Sequence, residues 1–393
     1  MSSSRAERQL ILLSAGTAAR RRELGGQPPR LLPDVRWPRL AETLRARKLL
    51  PVLGPRILEL AGGSALAGGA ASEDFAAAVA QALEAGRRQG AFLGLISQRV
   101  AAMLAEAGIR SAPLKGPLLG EALYGDPGRR LSSDIDLLVA PEQLRDAVVV
   151  VRALGYAEPT DYVRADGLPL LHFVLLRERE ELPPVELHWR VHWYERSFAR
   201  ERLLPPAAEG SREWRAARAD ELAALLLFYA RDGFVDLRIA ADLGAWWDVY
   251  GAELARGALG EVVATYPALA RAIAAAAAAA ERIVGLPAAR ILGEGHGLGL
   301  RGRAAARLAN PHPHSSAAQL YADMGLIDGL LAPRGGLRGF ARRQLLPPAE
   351  VLDQQAGHGG KARARSQLGR CGGVLARYAL TVPRLLRGPE TPA

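Results

Sequence analysis

The chain has 393 residues, 49% of them hydrophobic and 23% charged, with a formal net charge of +10 and a pI near 10.2. Its single cysteine, Cys371, excludes an intramolecular disulfide and a cysteine-rich metal cluster, and its longest apolar stretches, 222–230 and 272–280, are too short to span a bilayer. Lys48, Lys115 and Lys361 are its only lysines and aromatic residues are sparse, so the scattered arginine charge reads as an Arg- and Ala-rich composition, with a nucleic-acid partner admitted but not favoured.

In chain order, residues 1–35 are polar and Arg-rich and end in Pro/Leu-rich turns, so they are expected to be loosely attached. They carry no apolar signal core with a cleavage site, which with the lone cysteine sets the expectation of a cytoplasmic protein with no membrane partner. Residues 38–50 pattern as a short amphipathic helix, and 51–72 as one more short helix with a Gly/Ala/Ser-rich connector. The pattern over 72–107 is helical. Ser72 stands as N-cap, Glu73 and Asp74 follow where the helix dipole favours acids, and Phe75, Val79, Leu83, Phe92, Ile96, Val100 and Leu104 recur at helical spacing. Gly90 is expected to separate two helices. Residues 109–114 are expected to form the first strand.

Residues 112–139, APLKGPLLGEALYGDPGRRLSSDIDLLV, concentrate the chemistry. Pro117 suits the first turn of a helix running to Tyr124. Gly125-Asp126-Pro127-Gly128 stops that helix with turn chemistry. A glycine between strand and helix lets backbone N–H groups approach phosphate oxygens, so Lys115 and Gly116 are read as nucleotide-binding, Lys115 adding a point charge at the β- or γ-phosphate. The alternative for Gly116 is a turn requirement alone. Arg130 and Ser133 are read as phosphate contacts, against the alternatives of a solvated arginine and a strand-entry cap. Residues 134–139 alternate acid and apolar as a strand with one buried face does. Side chains two apart on a strand share a face, roughly 6.5 Å apart, so Asp134 and Asp136 project together. Two hard carboxylates so placed suit one or two Mg²⁺ ions, which prefer oxygen ligands and substrate phosphates. Their like charges also lead to the expectation that neutralising one stabilises the metal-free protein.

Pro141 then starts a helix capped by Gly155, followed by strands at 168–176 and 185–193 joined by a charged turn. In the second strand Glu186, His188, Arg190 and His192 fall on one face, and Val185, Leu187, Trp189, Val191 and Trp193 on the other. Glu186 completes a set of three carboxylates with Asp134 and Asp136. His188 shares the Glu186 face and either orients it, touches substrate, or is an ordinary strand histidine. Beyond about residue 198 helices are expected at 220–230, 236–250, 262–284 and 315–333, with a Gly-rich loop at 292–303. Residues 351–370 are expected to be flexible and 371–387 to form a basic helix. The expected divisions are 1–71, 72–204, 205–350 and 351–393. A P-loop and a serine-hydrolase elbow are both absent from the sequence.

L-K-G, a short helix, Y-x-D-P-x-x-R and S-D-I-D-L-L-V together resemble the uncharacterised nucleotidyltransferases of the polymerase-β-like superfamily, over about residues 75–250. The resemblance implies an α+β fold: a small mixed sheet with flanking helices, followed by a largely helical C-terminal subdomain. It implies that Asp134, Asp136 and Glu186 are catalytic and metal-binding, with two Mg²⁺ ions, Mn²⁺ being an alternative. The superfamily's glycine is usually followed by Gly or Ser, and Pro117 departs from that pattern. An arginine and an aspartate recur in a later helix of the family, matching Arg238 and Asp242, which either close the pocket or pair with each other at i, i+4. The implied reaction passes a nucleoside monophosphate from an NTP, ATP first, to an acceptor hydroxyl or phosphate with release of pyrophosphate. The acceptor stays open among a peptide or peptide natural product, a small metabolite, a protein side chain and a tRNA end. The competing readings are a regulatory, antitoxin-like enzyme acting on a protein partner, and a non-catalytic module of the same fold.

Overall fold

In a computed structural model of the chain, residues 3–25, 28–65, 70–157, 171–176, 182–206, 216–293, 297–310, 317–333 and 336–346, with Gly369, Cys371, Gly372 and Ala376, are described. Five helices come first: α1 (Ser3–Ala15), α2 (Ala18–Glu23), α3 (Pro28–Leu31), α4 (Trp37–Ala46) and α5 (Leu50–Ala65). The long α6 (Ala70–Glu106) leads into β1 (Ser111–Pro113), α7 (Pro117–Tyr124), β2 (Ile135–Val139), α8 (Leu144–Arg152), β3 (His172–Leu175) and β4 (Val185–His188). Eight helices follow: α9 (Arg218–Arg231), α10 (Leu237–Tyr250), α11 (Leu259–Thr265), α12 (Ala270–Val284), α13 (Ala288–Leu292), α14 (Leu300–Leu308), α15 (Ala317–Leu331) and α16 (Gly336–Leu345).

The four strands form one mixed sheet in the order β1-β2-β4-β3. The β2–β4 pair is parallel and its neighbours on either side are antiparallel. Period-2 alternation divides the sheet into two faces. Ile135, Leu137, Val139, Leu175, Val185 and Leu187 pack against Leu93, Val100 and Leu104 of α6 and Ala147, Val148 and Val151 of α8 in one apolar cluster. Asp136, Glu186 and His188, the residues between, turn to the opposite face. A second, larger cluster gathers Leu10, Leu44, Leu53, Leu138, Val191, Phe228, Trp246 and Ile273, so helices from both ends of the chain share one core.

Several expectations are corrected. Residues 3–15 and 18–23 are helical, and Ala6, Leu10, Ile11 and Ala15 are buried, because the apolar face of α1 packs into the large core. Thr17 caps α2 through the Arg20 N–H and ties the segment to Val284 through a 2.7 Å backbone bond. The helical stretch after residue 70 is one helix of 37 residues, with Ser72 inside it and no break at Gly90. Gly86 and Gly90 serve approach instead. A Cβ at Gly86 would stand 2.2 Å from Gly128 O, and one at Gly90 would stand 3.4 Å from Pro127 O, so the turn after α7 lies directly on this helix. β4 ends at His188, because the N–H groups of Trp189 and Arg190 both turn towards Leu171 O. The Ala-rich helix expected at 262–284 divides around Pro267 into α11 and α12, and α14 begins inside the expected 292–303 loop. Residues 168–170 and most of 351–393 lie outside the described residues.

The glycine contacts predict opposite signs for one substitution. Helix propensity favours Gly→Ala by about 1 kcal/mol in an open helix interior. At Gly86 the obstacle is backbone, and overpacking of that kind costs about 1–3 kcal/mol. Gly86→Ala should therefore lower stability and Gly94→Ala, with nothing within 4 Å of its Cβ, should raise it. Urea midpoints of both variants check this; a Gly86→Ala protein as stable as Gly94→Ala would refute the close helix–turn contact.

Candidate active site

The site begins where β1 runs out. Leu114 N–H donates to Asp136 O at 3.2 Å, which fixes Lys115 and Gly116 beside β2. Gly116 has φ +89° and ψ −155°, a conformation that residues with a Cβ rarely adopt, and it caps α7 ahead of Pro117. Gly125, in the left-handed region, ends α7, and Asp126 starts the next turn by accepting the Gly128 N–H at 2.9 Å.

Arg130 follows and is buried. Its Nε donates to Asp242 Oδ2 at 2.8 Å, and Tyr124 OH donates to Asp242 Oδ1 at 2.8 Å. The Y-x-D-P-x-x-R motif is thus tied to α10 through one buried aspartate. This corrects two readings. Arg130 faces Asp242 in the core, where its guanidinium is already paired. Arg238 does not pair with Asp242: its Nη2 meets Asp236 Oδ2 at 3.0 Å, and its Nη1 donates to Leu131 O at 3.2 Å. The cause is local, since Asp236 is the N-cap of α10 and its carboxylate also accepts the Arg238 N–H. Ser133 is exposed and accepts from Lys48 Nζ at 3.1 Å. Asp134 sits just before β2, and Ser132 Oγ donates to its Oδ1 at 3.0 Å.

Asp136 and Glu186 lie directly opposite each other in the parallel β2–β4 register. His188 Nε2 stands between them, 2.9 Å from Asp136 Oδ1 and 3.2 Å from Glu186 Oε2. Lys115 Nζ lies 3.3 Å from the same Asp136 oxygen. Burial alone would push the Asp136 carboxyl up, but Lys115 and then the His188 hydrogen bond hold it well below the usual carboxylate range. Burial opposes ionisation of Glu186 too, and His188 and His172 lower it past its ordinary value. His172, across from His188 in the β3–β4 register, is pushed down to about 4 by burial and by His188. It is neutral at pH 7, so its 3.6 Å approach to Glu186 is not an ion pair. The 134–136 alternation therefore reaches the site through Asp136, while Asp134, bonded to Ser132, lines the same crevice as Asp136.

The donor set suits a divalent cation. Both central carboxylates are ionised, and His172, Glu186 and His188 each offer a ligand atom within 4.8 Å of the others. Lys115 forms part of the wall between two openings. One is a narrow crevice lined by Ser97, Gln98, Gly116, Pro117, Asp134 and Asp136. The other is a cavity of about 320 Å³ whose lining includes Leu119, Arg218, Leu225, Phe228, Trp246 and Tyr250. Sequence reasoning missed His172, Phe228 and Arg231. The available signal for Arg231 was a cation closing the otherwise apolar run 222–230. It also missed Glu195, which is buried and whose carboxyl oxygens accept the Val191 and Ala199 N–H groups and hold the turn after β4.

The profile of a family described as uncharacterised nucleotidyltransferase matches residues 33–285, and the chain belongs to that family. No curated protein and no solved structure matches it. The family supports nucleotidyl transfer from an NTP as the general activity, and enzymes of this class generally use divalent metals. No helix among the described residues is long and apolar enough to cross a membrane.

Two stability predictions follow from the charges. The folded protein favours ionised Asp136, the reverse of the repulsion expected from the sequence. Asp136→Asn leaves Lys115 without its partner and should cost about 3 kcal/mol at pH 7. Because the folded pKa is depressed, the wild type holds this advantage above the unfolded value near 3.8 and loses it as pH falls through the folded one. An Asn variant at least as stable as wild type in urea at pH 7 would contradict the pairing. Glu195 behaves oppositely. Burial pushes it up to about 7 from an ordinary 4.5, so the folded state keeps a proton that the unfolded chain has released. Wild-type stability relative to Glu195→Gln should fall between about pH 4.5 and 7 and level off above. Urea midpoints at pH 5, 6, 7 and 8 read this directly, and a difference independent of pH would rule it out.

Proposed function

We propose that the protein is a Mg²⁺-dependent nucleotidyltransferase, active with Mn²⁺ as well, that moves a nucleoside monophosphate from an NTP to an acceptor hydroxyl or phosphate. The observation that carries this reading is the facing pair Asp136 and Glu186, both ionised, beside Lys115 and a glycine-turned helix start. A fold of the polymerase-β-like kind accommodates that pair, with 72–204 as the catalytic core, 205–350 as a helical subdomain, 1–71 as N-terminal helices and 351–393 as a basic C-terminal segment. ATP is the first NTP to test, the cytoplasm is the proposed location, and a peptide natural product is one acceptor worth testing.

Asp136 and Glu186, joined by Asp134, would hold the cation, with His188 between them as an orienting group or a further ligand. A cation in such a site neutralises triphosphate charge and aligns the attacking and leaving oxygens. The chain's own groups do the rest. Gly116 and the start of α7 offer a place for the terminal phosphates. Lys115 lies close enough to exchange its contact with Asp136 for a phosphate oxygen. The cavity beyond it, walled by Phe228, Trp246 and Tyr250, offers aromatic surface for the base, with Arg218 and Glu221 as polar partners. Glu186, ionised and partly exposed, accepts the proton of an acceptor hydroxyl. Arg130, Arg238 and Asp242 act by position: they fix the loop that carries Ser133 and Asp134 against α10. Ser133, exposed beside Lys48, is free to meet phosphate at the rim.

Turnover of each NTP with Mg²⁺ or Mn²⁺, and intact-mass shifts on candidate acceptors, test the reading. Asp136→Asn and Asp134→Asn should lose at least 100-fold in transfer, the loss expected when a ligand of the reaction's metal is removed. Lys115→Ala should raise the KM for NTP more than it lowers kcat. A folded Asp136→Asn protein that still turns over at the wild-type rate would reduce the acid pair to a structural feature.

A further inference from the structure

Buried N–H donors without an acceptor are rare in native proteins, and each costs about 1–3 kcal/mol. Arg190 Nε, His192 Nε2 and Arg231 Nη1 are all buried and all lack a hydrogen-bond partner among the described residues. His192 Nδ1 accepts the Tyr194 N–H at 3.3 Å, so the neutral ring carries its proton on the orphaned nitrogen. Burial and the nearby Arg231 charge keep that ring neutral, at about 3.

Of these, Arg231 lies near the carboxylates, and His192 lies near Arg231. The Arg231 guanidinium lies 4.8 Å from the centre of the Phe228 ring, which also meets Lys115 Nζ at 4.6 Å and the His188 ring at 6.4 Å. The charge of Arg231 bears on Asp136, His172 and His192. Glu186 and His172 keep 19% and 30% of their side chains exposed, and Arg231, 12% exposed, pairs through Nε with Asp232 Oδ1 at 3.0 Å, which leaves Nη1 unmatched.

The sheet order says which substrate meets them. Gly116 follows β1 at one end, Asp136 and Glu186 are central, and His172 is on β3 at the other end. Displacement at phosphorus places the attacking and leaving oxygens roughly in line. Pyrophosphate leaving towards Gly116 requires the acceptor to arrive from the β4–β3 side. We propose that the acceptor carries an oxyanion, a phosphate or a carboxylate, and that Arg231, with His192 near it, receives that group beside Glu186. This rests on the nucleotidyl-transfer reading. The acceptor oxygen bonds to the α-phosphorus as the bond to the bridging oxygen breaks. Pyrophosphate departs with that electron pair, and a hydroxyl acceptor gives its proton to Glu186, whereas a phosphate acceptor attacks already ionised.

The test is calorimetric titration with inorganic phosphate and, separately, with acetate, each with and without saturating α,β-methylene-ATP and Mg²⁺. Binding of either anion to the wild type should persist with the nucleotide analogue present, and the stronger of the two identifies the kind of oxyanion. Arg231→Met should weaken it at least tenfold and His192→Phe severalfold, with melting curves confirming that each variant folds. Arg231→Lys keeps the charge but not the planar fork and should give an intermediate loss, which decides the matter if the Met variant does not fold. No anion binding in the wild type, binding unchanged in the folded Arg231 variants, or binding abolished by the nucleotide analogue would each overturn the proposal. Absence of analogue binding with intact anion binding would count against the nucleotidyl-transfer reading alone.

Discussion

Two carboxylates placed side by side in a low-dielectric setting repel each other, and this site exists because that repulsion is answered locally. The parallel β2–β4 register sets Asp136 directly against Glu186. Lys115 arrives from β1, and His188 arrives two residues along β4, so each neighbouring strand brings a compensating group. Without them, desolvation would push both acids towards the neutral form. With them, both remain ionised. The register is in turn specified by the apolar face: a one-residue slip would turn Ile135, Leu137 and Val185 away from α6 and α8.

The surrounding helices hold this arrangement through few but buried polar contacts. Asp242 collects Tyr124 from the end of α7 and Arg130 from the segment between α7 and β2, joining that segment to α10. Gly86 and Gly128 let that same segment lie on α6. Phe228 of α9 packs on the polar face, with Lys115 and Arg231 over its ring and His188 at right angles to it. The loop bearing Asp134 is therefore bounded by α6 and α10, two helices that are distant in sequence.

Local chemistry made much of this legible in the sequence. α7 runs from Pro117 to Tyr124 as its proline start and Gly125 stop dictate, and the acid–apolar alternation of 134–139 and of Val185–His188 places Asp136 and Glu186 on one face. What failed depended on distant partners. Gly90 looks like a helix break unless one knows that Pro127 lies against it. Arg238 and Asp242 look like a pair on spacing alone, but Asp236 and Arg130 offer each a nearer partner. Arg231 and His172 carry no motif, and their role comes only from the packing of α9 and β3 against β4.

The position of Lys115 has a consequence for how substrates enter on the proposed reading. Its ammonium neutralises Asp136 and lies in the wall of both openings, so it cannot grip a phosphate and Asp136 equally well. If a phosphate draws Lys115 away, Asp136 is left buried with less compensation, a state worth several kcal/mol in the unfavourable direction. A divalent cation on Asp136 removes that penalty, and the same cation alone would repel Lys115. Nucleotide and metal therefore favour each other's binding, and by linkage the coupling is equal in both directions. The fold thus admits the triphosphate and its cation best as one unit.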